Sequence, residues 1–106
     1  MTSIWIAQND GAKLTLKNIS ETVAASFRVD TVVLSSKRQD KGASLPRKVA
    51  MFLCRELTTE SLQEVGKAFN RDYATVIAAI QSLVGLMNKD ESLARQVQDI
   101  RYMLET

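Results

Sequence analysis

Apolar residues recur every three to four positions in four separate stretches of this chain, the spacing of one face of an α-helix. The stretches are Leu16, Ile19, Val23 and Phe27; Val49, Ala50, Leu53 and Leu57; Val76, Ile77, Ile80, Leu83, Val84 and Met87; and Leu93, Val97, Ile100 and Leu104. Start signals accompany them. Thr15 and Asp90 each offer a side-chain oxygen to the unpaired amides of a first helical turn. Pro46, behind a Ser44 or Leu45 cap, suits a first turn because its missing N–H has no partner there. Two shorter helices complete the set. Asp30 caps a turn through Val32, Val33 and Leu34, and Ser61-Leu62-Gln63-Glu64 has the form of a capping box ahead of Leu62, Val65 and Ala68. Only residues 31–34 form a β-branched run, too short to found a sheet. The expected fold is all-α, a compact bundle of about six helices.

With 106 residues, 45% of them hydrophobic, the chain can bury one modest core. Asn9, Asp10 and Gly11 form a turn-like cluster that sets Ile4-Trp5-Ile6 apart. Residues 1–13 are therefore read as an arm or tail, and residues 14–106 as the folded domain, with further domains of a longer parent chain possible. Enzymatic classes find little support. Histidine, the commonest metal ligand and general base, is absent, and a single cysteine, Cys54, excludes an intramolecular disulfide and a cysteine-rich zinc site. Cys54 lies beside an apolar helix face and is read as a small buried hydrophobe. The glycines at 11, 42, 66 and 85 match no phosphate-binding loop, and Asp90-Glu91 reads as a helix start rather than a catalytic pair. No catalytic residue, metal, cofactor or small-molecule substrate is expected. No run approaches the ~18 apolar residues of a membrane span, and the N-terminus has no signal-peptide pattern, so a cytoplasmic location without a membrane partner is expected.

Two local patterns point to a polyanion instead. Around Phe69-Asn70-Arg71-Asp72, asparagine can take the left-handed conformation that ends a helix and aspartate can cap the next. Two helices joined by so short a turn, over roughly residues 61–81, have the layout of a DNA-reading helix-turn-helix. With Val76 facing the core, Tyr73, Ala74, Thr75, Ala78 and Gln81 fall on the open side of the second helix. The other pattern is charge position. The net charge is only +2, yet Lys37, Arg38, Lys41, Arg47 and Lys48 gather five positive charges against one acid, Asp40, and residues 35–44 show no apolar period. That segment reads as a basic loop. A solvated loop beside two amphipathic helices would show the same residues, but the two signals in one small domain favour double-stranded DNA as the partner.

Leu34-Ser35-Ser36-Lys37-Arg38, Leu45-Pro46-Arg47-Lys48-Val49-Ala50-Met51, Arg55-Glu56-Leu57-Thr58, the run from Ser61 to Phe69 and Arg71-Asp72-Tyr73-Ala74-Thr75-Val76 together resemble the C-terminal DNA-binding domain of the bacterial replication initiator DnaA. The resemblance covers about residues 14–106. It implies a basic loop in the minor groove, here Lys37, Arg38, Gln39 and Lys41, and phosphate contacts from Arg47, Lys48 and Arg55. It further implies that Leu62 and Gln63 open the first helix of the pair, and that Arg71, Asp72, Tyr73, Ala74 and Thr75 occupy the turn and the base-reading start of the second. The chain departs from the family at several of these positions. One Asn70 stands for the usual two glycines, Tyr73 for a histidine, Ala74 for a threonine and Gln39 for an arginine. Those departures suggest a changed box, in a diverged initiator or in a transposase-like protein carrying a DnaA-like domain. The alternative is a helical docking module for a protein partner that has lost specific DNA reading.

Overall fold

The computed structural model describes residues 14–106, and every regular element among them is helical. Helix α1 (Leu16–Phe27) leads through a 3₁₀ turn (Thr31–Ser35) into the long α2 (Lys41–Leu57), followed by α3 (Leu62–Ala68), α4 (Tyr73–Lys89) and α5 (Glu91–Glu105). The expected arm at residues 1–13 lies outside the described residues.

Five of these starts are capped by a side-chain oxygen. Thr15, Asp30, Ser61, Asp72 and Asp90 each accept a backbone amide two or three residues ahead, satisfying a donor that the helix itself leaves unpaired. At Ser61 the Glu64 amide donates to the serine oxygen at 3.1 Å, while the Glu64 carboxylate turns to Lys67 Nζ at 3.4 Å instead of reaching back as a full capping box requires.

Helix α2 is the centre of the bundle and packs against α1, α3 and α4. Val49, Ala50, Met51, Leu53 and Cys54 are all completely buried, which a helix achieves only when neighbours surround most of its circumference. Ile19 and Val23 of α1, Val65 of α3, Val76 and Leu83 of α4, and Ile100 of α5 complete the interior. Burial pushes the Cys54 thiol up to about 12, so it stays protonated and unreactive at neutral pH.

Three details differ from the sequence reading. Helix α2 begins at Lys41, so the loop is confined to residues 36–40 and Pro46 lies inside the helix, in its second turn. The Asp40 carbonyl accepts from both Ala43 and Ser44, and Ala43 is fully buried. Tertiary burial of that one alanine thus extends the helix through Gly42 and Ser44, which are weak helix formers with no apolar period. In α3 it is Phe69, the C-terminal cap residue, that enters the core at 1% exposure, whereas Ala68 faces solvent. In α4 the buried line runs through Val76, Ile80, Leu83 and Met87, which turns Val84 about a hundred degrees away and leaves it exposed.

Candidate nucleic-acid interface

The turn between α3 and α4 is built from four consecutive residues with separate duties. Phe69 plugs into the core and ends α3. Asn70 follows with φ 57°, the left-handed region that reverses the chain and that asparagine enters more readily than most residues. The Arg71 amide then closes back onto the Gly66 carbonyl at 2.8 Å. This closure brings the Arg71 carbonyl so near Gly66 that a methyl group there would collide with it, so position 66 must be glycine. Asp72 caps α4 by accepting the Thr75 amide at 2.9 Å, and hydrogen bonds from Thr75 hold its carboxyl below the ordinary carboxylate range. With Val76 pinned in the core, the first turn of α4 projects outward: Tyr73 is half exposed, and Ala74 and Thr75 are exposed.

The basic loop has no comparable local support, since residues 36–40 are all polar. Its hold comes from Arg47 on α2. The Arg47 Nε donates to the Leu34 carbonyl at 2.7 Å, and its Nη2 contacts the carbonyls of Val33, Ser36 and Arg38 at 3.2, 3.1 and 2.8 Å. Only 6% of Arg47 is exposed. Expected on a phosphate, it bonds through Nε and Nη2 to main-chain oxygens of the fold. Burial, and then the neighbouring Arg71 charge, lower its pKa.

Arg71 approaches the same loop from the other side. Its Nη2 donates to the Ser36 carbonyl at 2.8 Å, its Nη1 donates to the carbonyls of Phe69 and Asn70, and the Asn70 side-chain amide reaches the Ser35 carbonyl at 3.2 Å. Between loop, α2 and α4 lies a cleft of about 220 Å³ lined by Gln39, Ser44, Arg47, Lys48, Met51, Arg71, Thr75 and Ala79.

Of the residues singled out from sequence, Gln39, Arg47, Lys48, Arg71 and Thr75 therefore meet around one concavity. Lys48 also donates to Ser82 Oγ on α4 at 3.1 Å. Lys37, Arg38 and Lys41 are exposed around the loop, but the Arg38 guanidinium is forked onto Asp40 at 2.9 and 2.8 Å, which lowers the Asp40 pKa. Arg55 is exposed in the last turn of α2, Leu62 is half-buried against the core at the start of α3, and Gln63 beside it is exposed. These three do not line the cleft.

Sequence reasoning passed over Gly66 and Ser82. A glycine inside a short helix gives no sign of what approaches it. Ser82 carries a weak signal, two helical turns beyond Thr75 and so on the same face.

The family described as bacterial DnaA protein helix-turn-helix matches residues 16–83. The chain is similar to proteins named chromosomal replication initiator protein DnaA. It is 35% identical to that of Caldanaerobacter subterraneus subsp. tengcongensis over 91% of this chain and 22% of the relative. With that of Gluconobacter oxydans it shares 37% identity over 88% of this chain and 20% of the relative. For the protein of Desulfotalea psychrophila the identity is 39%, over 74% of this chain and 16% of the relative. The chain thus spans about a fifth of the length of these curated relatives.

Proposed function

The chain belongs to the bacterial DnaA helix-turn-helix family, and from that membership we propose that it is a sequence-specific binder of double-stranded DNA acting in replication initiation. The observation that carries the reading is the cleft, which sets the polar loop and the open first turn of α4 side by side. A major groove is wide enough for a helix end, and the adjacent backbone and minor groove are within reach of a short loop.

Tyr73, Ala74 and Thr75 face base edges in this reading. Ala74 is small enough for close approach, Thr75 offers a hydroxyl and a methyl, and the Asp72 carboxylate can accept from a base amino group through lone pairs that the Thr75 bonds leave open. Gln39, with Lys37, Arg38 and Lys41, lies along the minor groove or its phosphates. Lys48, Arg55 and Gln63 contact the backbone, and Leu62 packs at the start of α3. The relatives matched are initiators, which favours replication initiation over service in a transposase-like protein, and supports a location with the bacterial DNA.

Selection of bound duplexes from a random library at roughly 150 mM salt tests the proposal, and the expected result is one enriched motif preferred about a thousand-fold over scrambled DNA. Neutralisation of about four phosphates, by Lys37, Lys41, Lys48 and Arg55, predicts a log–log salt slope of about −4. A shallow slope without enrichment would overturn the reading in favour of a protein-docking module.

A further inference from the structure

The loop and the recognition turn share an anchor point. The Ser36 carbonyl accepts from Arg47 Nη2 at 3.1 Å and from Arg71 Nη2 at 2.8 Å, so one oxygen joins α2, the loop and the helix-turn-helix. Asn70 adds a third strap at the Ser35 carbonyl. The loop has no apolar residue to bury; its local bonds are the Arg38 amide to Ser36 Oγ at 3.3 Å, the exposed Arg38–Asp40 pair, and the Ser36 hydroxyl donating to the Val33 carbonyl at 2.7 Å. Arg47 and Arg71 supply the bonds that tie it to α2 and to the helix-turn-helix. A planar guanidinium can address several carbonyls at once in a fixed fork, which the single ammonium of lysine cannot.

We propose that Arg47 and Arg71 are positioning residues that lock residues 36–40 to the start of α4, so that Gln39 and residues 73–75 meet one duplex at a single fixed separation. The inference rests on the duplex-binding reading for its consequence, but the lock itself is a property of the free protein. Arg47 acts through the loop, because its Nε and Nη2 are bonded to main-chain carbonyls and its side chain is buried. The spacing between the two reading segments is then part of the specificity: a duplex must satisfy both at once or lose one.

The test compares the wild-type chain with R47K, R71K and N70G, the last removing the Asn70 amide while keeping a residue that tolerates positive φ. Backbone order parameters in the free protein are expected to fall for residues 37–39 from about 0.85 to below about 0.6 in both lysine variants. On the selected duplex these variants should bind about ten-fold more weakly and lose discrimination at base pairs beneath the loop, while keeping it beneath Tyr73, Ala74 and Thr75. Their salt slope should stay within about half a unit of wild type, because no phosphate contact is removed. N70G should show the same pattern, more weakly. Lysine variants with a rigid loop and unchanged base preferences would overturn the lock, since charge alone would then suffice. A salt slope lowered by about one in an R47M variant whose loop stays rigid would overturn it equally, by making Arg47 a phosphate ligand. If R47K fails to fold, R71K, at the surface turn, decides. If the wild-type chain selects no duplex, the functional reading fails while the order parameters still settle the lock.

Discussion

The turn at residues 69–72 is held by its own residues, whereas the loop at residues 36–40 is held by side chains that arrive from other elements. In the turn, a buried phenylalanine, a left-handed asparagine, an amide closing on Gly66 and an aspartate cap all act within a few positions of one another. In the loop, the partners of Arg47 lie nine and eleven residues before it in sequence, and that of Arg71 lies thirty-five before it. The turn is thus a local device that forms with its helices. The loop acquires its place only once α2 has docked beside the 3₁₀ segment.

The difference can be broken at the turn. Phe69→Ala removes the largest side chain that the turn buries and should cost about 3–5 kcal/mol in denaturant unfolding. It should abolish duplex binding as α4 loses its seat. Gly66→Ala is the next largest: a methyl against the Arg71 carbonyl must shift the backbone, at about 1–3 kcal/mol, read as a lower midpoint with an unchanged m-value.

Asp72→Ala should have a smaller effect on the melting temperature, and the effect should depend on pH. Folded Asp72 titrates below the ordinary carboxylate value of about 3.9. Its contribution is therefore complete above that pH and is lost as pH falls through the lowered value. Wild type and variant should differ at pH 7 and converge in strong acid, in parallel thermal melts.

The smallest effect sharpens the loop side. Asp40 holds Arg38 in an exposed ion pair and places a negative charge where DNA phosphates are expected. Asp40→Asn should release Arg38 and tighten duplex binding about two- to five-fold at low salt, the range of an exposed pair, with little change in stability. Equal affinity for the two proteins in a titration at low salt would place Arg38 away from the backbone.

The sequence by itself determined the helices, most of their caps and the buried faces. Thr15, Ser61, Asp72 and Asp90 bond to amides three residues away, and Ile19, Val23, Leu83, Val97 and Ile100 follow the turn of a single helix. Asn70 was readable for the same reason, because a left-handed residue between two helices is a local requirement. The start of α2, the collision that reserves position 66 for glycine and the role of Arg47 were decided by tertiary structure. An arginine in a basic stretch looks the same whether it meets a phosphate or a carbonyl. What separates the two outcomes is whether packing buries it: once α2 lies against the 3₁₀ segment, its buried donors must find partners inside the fold, and the nearest are the carbonyls of that segment and of the loop.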